Sequence, residues 1–387
     1  MTTEQRRDLA VLMAVGLAAF AVRIALIVTY PDIDGDAYGH FNAGRAFARD
    51  PWNLGVHWVW LPLYHAFIGL VTGLGLGFTA LRVLSSVVAL AAPWVLYRWV
   101  LPASPSRARL AAALFTIAPL SNALAVSAQA ETLFTLVIVA LALALERARF
   151  GVAAALLTIA SGMRYEAWGA VAAWALYVGH RRFARGVPMG RSLVVVAPLV
   201  FIVGWIVAHR VHDGAWLTFL TETRSFAGGL RSTTERSWLV DAIRLPLLTP
   251  FIVFGPALLL AVAGVPGAAA AGRAGWVPAA GVFAFLLASY VGRGALAGER
   301  YFTALTPFVC VLVASGVEAI ERRLPSPTRA RWIARFAVTA ILRDDGRAPR
   351  EERPHGPGAR VRAARGRGTR QSVTPEEPTF RDLGAWR

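Results

Sequence analysis

Of the chain's 387 residues, 56% are hydrophobic and 16% charged, where a soluble domain would carry roughly a quarter charged. The net charge of +17 is entirely arginine, since the sequence holds no lysine, and a GC-rich coding sequence accounts for that bias. The arginines sit between apolar runs and not along one face, which excludes a nucleic-acid footprint, and a single cysteine, Cys310, excludes a disulfide framework.

The N-terminal stretch MTTEQRRDLAVLMAVGLAAFAVRIALIVTY has a basic start and about 20 apolar residues. No small-residue cleavage site follows before the acidic stretch, so it is expected to be a retained signal-anchor. Further apolar runs lie near 59–78, 80–97, 109–126, 131–146, 149–163, 166–179, 192–208, 246–265, 275–292 and 301–320. Repeated runs of this length predict an all-α, polytopic membrane helix bundle.

Arginine clusters punctuate these runs at Arg6–Arg7, Arg98–Arg109, Arg147–Arg149, Arg181–Arg191, Arg273 and Arg322–Arg323. Short cytoplasmic loops collect such charge. All the clusters fall inside only if 59–78, WVWLPLYHAFIGLVTGLGLGF from its aromatic start to its glycine-rich end, dips in and returns on the outer side. The expectation is therefore about ten spanning helices in one integral-membrane domain, 1–342, with both termini cytoplasmic. The first loop, 30–58, is then extracytoplasmic and carries juxtamembrane helices. RARWIARFAVTAIL (329–342) begins like a further helix and stops short. The Arg/Gly/Pro-rich tail, 343–387, is expected to be disordered, and its composition suggests a frameshifted or truncated end.

The outer loop begins YPDIDGDAYGHFNAGRAF (30–47). An aspartate here would cap a helix over 36–49, with Tyr38, Phe41 and Ala48 inward. One of the carboxylates, Asp34 or Asp36, is also placed to act as general base on a hydroxyl acceptor. The same topology brings Arg82, Glu131, Arg164, Glu166 and Arg300 to the outer face. Each has a plainer reading: Glu131 as a first-turn acid, Arg82 and Arg300 as interfacial snorkellers, Arg164 and Glu166 as a mutual pair. Arg23 lies within the first run, where an unpaired charge costs roughly 2.5–3.5 kcal/mol, and the nearest acids in sequence are Asp32–Asp36. His40, His57 and His65 have irregular spacing for metal ligands, and interfacial placement is their default.

In order along the chain, the stretches DGDAYGHFNAGRAF, WLPLYHAF, LRVLSSVVAL, APLSNALAVSAQAETLF, ASGMRYEAW and ERYFTALTPF resemble the GT-C class of integral-membrane glycosyltransferases. That class includes the polyprenyl-phosphate-mannose-dependent mannosyltransferases and protein mannosyltransferase-like enzymes. The resemblance runs from about residue 9 to about residue 320. It implies that Asp36, with Asp34 as the alternate, activates the acceptor, and that Glu131 is a second acid. Arg82, Arg300 and Arg164 would lie near the lipid phosphate, and Tyr38, His40, Trp60, His65, Glu166 and Tyr301 would complete the substrate pocket. The implied activity is inverting transfer of a sugar, mannose or another hexose or pentose, from a polyprenyl-phosphate donor to an extracytoplasmic glycan, lipid or protein acceptor. The implied location is the bacterial plasma membrane. No cofactor is required by the pattern, and a divalent metal is left open. A transporter or lipid flippase, and a non-catalytic membrane scaffold, are the competing readings; no internal repeat supports the transporter.

Overall fold

In the computed structural model of the protein, the described residues are 3–30, 34–57, 59–186, 188, 190–231, 254–255, 257–269, 274–291 and 299–323. Every regular element among them is helical. Asp32, the segment 329–342 and the tail 343–387 lie outside the described residues.

Helix α1, Thr3–Thr29, leads to α2, Gly35–Arg49, and a single turn at Leu54–Val56. Then come α3, Pro62–Gly73; α4, Phe78–Val100; α5, Pro105–Ile117; α6, Pro119–Val126; and α7, Ala130–Glu146. The next are α8, Phe150–Met163; α9, Glu166–Arg185; α10, Pro198–Asp213; and α11, Thr218–Arg231. The last are α12, Ala257–Ala269; α13, Val277–Val291; and α14, Thr306–Glu321. Local signals set many boundaries. Ser104 caps α5 by accepting from the Arg107 N–H, and Pro105 fills the first helical position, where no N–H is needed. Gly186 and Gly214 end α9 and α10 in the left-handed conformation.

Five helical stretches are long and apolar enough to cross a membrane: Gln5–Thr29, Phe78–Val100, Gly190–Asp213, Ala274–Val291 and Arg300–Glu321. A sixth arises if α5 and α6, bent by 51° at Ala118, are counted as one span. This is the pattern of a multi-pass membrane protein; among the described residues, which hold only part of the expected run 246–265, the count of about ten is not confirmed. Length sets several of the remaining runs apart. Helices of 13–17 residues, such as α7, α8 and α12, rise roughly 20–25 Å, short of the ~30 Å hydrocarbon core. Helix α3, with 12 residues, is shorter still, as suits a run expected to dip in and return and not to span.

Glycine permits the tightest helix crossings. A Cβ on Gly264 of α12 would strike the Leu312 carbonyl, and one on Gly316 of α14 would strike the Leu260 carbonyl. Gly169 of α9 and Gly281 of α13 meet in the same reciprocal way. Small residues at such crossings let backbones approach where no water is displaced. Helix α2 uses the same device against α3. Its buried face is Ala37, His40, Ala43 and Gly44, with Gly44 against Ile68. Of the expected inward set, Phe41 is partly buried against the core, whereas Tyr38 and Ala48 are corrected to exposed positions. Tyr38 is 43% exposed and stacks on Phe78, because close approach to α3 needs small side chains, not aromatic ones.

Candidate functional site

Several helix starts carry their acids to one region. Asp34 caps α2: its Oδ1 accepts from the N–H groups of Asp36 and Ala37. Its Oδ2 accepts from the Gln129 amide at 2.6 Å, which ties the start of α2 to the start of α7. Gln129 is preceded by Ala128, a non-glycine residue at φ 57°, whose carbonyl accepts the Tyr64 hydroxyl. A left-handed alanine costs about 1–2 kcal/mol, and here it turns the chain sharply so that Glu131 follows in the first turn of α7.

The cluster that results joins three acids to two arginines. Arg164 Nη1 lies 2.7 Å from Glu131 Oε1, and its Nη2 lies 2.7 Å from Glu166 Oε1. Arg300 Nη1 pairs with Asp36 Oδ2, and its Nε lies 3.7 Å from Glu131 Oε1. Glu131 thus sits between both guanidiniums, its side chain only 3% exposed, while that of Asp36 is 38% exposed. Tyr301 lies beneath both cations, its ring centroid 5.2 Å from Arg164 Cζ and 5.3 Å from Arg300 Cζ. Burial alone would lower the Arg164 pKa, but Glu131 and Glu166 more than offset it and hold the group above its ordinary value. Among the described residues two guanidiniums face three carboxylates, so one formal negative charge is in excess there. Glu131 Oε2 is buried and accepts no hydrogen bond among the described residues.

Three histidines form a second, adjacent group. His40 Nδ1 lies 2.9 Å from His65 Nε2, and His57 Nδ1 lies 2.7 Å from His65 Nδ1. Trp60 packs on His40 at 4.3 Å between ring centroids. His65 is the hub, engaged on both ring nitrogens, so the rings run as a chain and do not converge on one point. Burial, and then the charges of Arg164 and Arg300, push the His40 pKa down to about 3. Burial, then His209, pushes His57 down to about 4, and burial, then its two neighbours, holds His65 well below the usual range. Among the described residues no group of three His, Cys, Asp or Glu side chains is arranged to hold a metal ion.

The expected residues are therefore not all in one place. Asp36, Glu131, Arg164, Glu166, Arg300 and Tyr301 meet, and Asp34 adjoins them through Gln129. His40, Trp60 and His65 form the neighbouring histidine layer, and Tyr38 stacks on Phe78. Arg82 is buried and donates to the carbonyls of Val126, Ile27 and Tyr30, tying the end of α1 to α4 and α6. Arg23 does not turn to the nearby aspartates. It donates to Asn122 Oδ1 at 2.7 Å and to the Ser86 carbonyl at 3.1 Å. Gln129 and Ala128 were missed because an amide and a strained alanine carry no signature in sequence.

Comparison with models of known protein families finds none that matches the chain. A search of curated proteins likewise returns no significant similarity.

Proposed function

We propose that the protein is a membrane glycosyltransferase of GT-C type, moving a sugar from a polyprenyl-phosphate donor to an acceptor hydroxyl with inversion. The observation that carries this reading is the shared arginine. Arg300 contacts both Asp36 and Glu131, so a half-exposed acid and a buried acid flank one cation. In the proposed step, Asp36 takes the acceptor's proton as its oxygen bonds to the anomeric carbon. The bond from that carbon to the phosphate oxygen breaks, and its electron pair leaves with the lipid phosphate. Arg300 and Arg164 are the bidentate donors suited to the charge that develops there. Asp34, in this reading, holds the geometry through Gln129 and α2. Arg82 supports the end of α1 from its carbonyl contacts, and His40, Trp60, His65, Glu166, Tyr38 and Tyr301 shape the pocket walls. The protein would lie in the bacterial plasma membrane with this cluster on the extracytoplasmic face.

The test uses the purified full chain with labelled polyprenyl-phosphate sugars and envelope material as acceptor. Incorporation that depends on Asp36 supports the reading. Unchanged incorporation in both Asp36→Asn and Asp34→Asn removes the base assignment.

One observation favours a transporter instead: the 51° bend between α5 and α6 beside the buried Arg23, since broken helices near buried charge line solute paths. A wild-type chain that moves no sugar but carries a solute into liposomes would replace the transferase reading.

A further inference from the structure

Below the acid cluster lies a small cavity lined by Arg23, Ser121, Thr132, Thr135 and Thr303, with Ala89, Ala92 and Phe115 as its apolar wall. We propose that this cavity is an intramembrane halide site, taking a single chloride-sized anion against Arg23. The proposal is independent of glycosyl transfer.

Charge comes first. Arg23 is buried, and its hydrogen bonds run to two neutral oxygens, Asn122 Oδ1 and the Ser86 carbonyl. No carboxylate pairs with it among the described residues. A buried guanidinium without a counter-charge favours an anion in the space beside it.

Donors point the same way. The Thr135 hydroxyl is spent on the Glu131 carbonyl and the Thr303 hydroxyl on the Arg300 carbonyl. Ser121 Oγ and Thr132 Oγ1 are buried with no hydrogen-bond partner, and Thr132 as a whole is 7% exposed. Arg23 Nη2 also makes no hydrogen bond among the described residues. The cavity thus offers a cationic donor and two unspent hydroxyl donors, the complement of an anion. Its size suits one small body, with about 10 Å³ open to the centre of a water-sized sphere. That is room for one small body, of which chloride is a larger example than water. Neutral water would fill the space but leave the charge of Arg23 uncompensated.

The local backbone adds a reason for the site to exist. At the bend between α5 and α6 the Asn122 amide donates to the Thr116 and Ala118 carbonyls, and Arg23 holds the other end of that amide. Irregular backbone at membrane depth persists only where such partners satisfy it. An anion on Arg23 would therefore steady the bend.

The experiment is thermal unfolding of the detergent-purified full chain in gluconate, chloride and bromide. Halide is expected to raise the Tm saturably, by roughly 2–4 °C. Arg23→Met should abolish the dependence, Arg23→Lys should keep part of it, and Thr132→Val should weaken the halide midpoint several-fold. Bromide should give an anomalous peak beside Arg23 in crystals. A Tm indifferent to halide with no bromide peak, or a folded Arg23→Met chain that keeps the dependence, overturns the site and leaves a water there.

Discussion

The two ends of the helix bundle both carry ion pairs, yet they are built to different ends. At the end opposite the acid cluster, Asp8 accepts from Arg109 at 2.5 Å and from Tyr97. Nearby, Glu318 accepts from Ser104, Arg107 and Arg322, while Arg107 also donates to the Gly267 carbonyl. These pairs join α1 to α5 and α5 to α12 and α14, and both Glu318 oxygens accept hydrogen bonds. At the other end, among the described residues, the acids outnumber the arginines, Glu131 keeps an oxygen without a donor, and Asp36 is within reach of solvent. One end is a set of closed ties; the other holds polar capacity in reserve. Reserve of that kind costs stability and is retained where chemistry or binding uses it.

The contrast can be broken by substitution. The largest effect is expected on activity: Asp36→Asn should lower sugar transfer by roughly 10²–10⁴-fold, the usual contribution of a general base, with little change in Tm. Glu318→Gln should leave transfer unchanged in the same labelled-donor assay. Equal responses would erase the distinction between the ends. Next, Arg164→Leu should cost about 3–5 kcal/mol in detergent unfolding, because it strands the buried Glu166 and leaves Glu131 only the longer contact to Arg300.

Acid sensitivity should also separate the ends. The folded-state pKa values of His40 and His57, about 3 and about 4, lie below the ordinary 6.5. Their neutral forms therefore contribute stability that is complete above pH ~6.5 and is lost as the pH falls toward 4. Unfolding followed across that window should show the loss, and His65→Gln, which removes the hub, should flatten it. Gly316→Ala should cost about 1–3 kcal/mol by forcing α12 off α14. The smallest change belongs to Arg322→Ala, within about 0.5 kcal/mol, since that side chain is 71% exposed.

Much of this layout could be read from the chain. Helix capping at the first loop was legible because an aspartate before a small-residue run offers few other uses: the expected helix over 36–49 is α2, Gly35–Arg49, with Asp34 as its cap. The gathering of Asp36, Glu131, Arg164 and Arg300 was legible because charges at the ends of apolar runs must share a face. Among the described residues the span count is confirmed only in part, and the reason is geometric. Hydropathy reports that a run is apolar, but a 14-residue helix such as α8 is apolar and still too short by itself. The partners of Arg23 were illegible because Asn122 stands 99 residues away and is neutral. Nearest-acid reasoning looks only along the chain. The buried face of α2 was read in part: Phe41 packs against the core, but the helices that meet at Gly44 and Ile68 select for small residues, which leaves Tyr38 outside.

Asp34 divides its labour between two helices, one oxygen on the first turn of α2 and the other on Gln129 at the head of α7. Asp36 and Glu131 each stand two residues beyond one side of that joint. Their spacing is therefore set by a buried amide that dissolved salt does not screen, whereas an ion pair spanning the same gap in solvent would loosen as ionic strength rose. The separation of the two acids should hold across a wide range of ionic conditions.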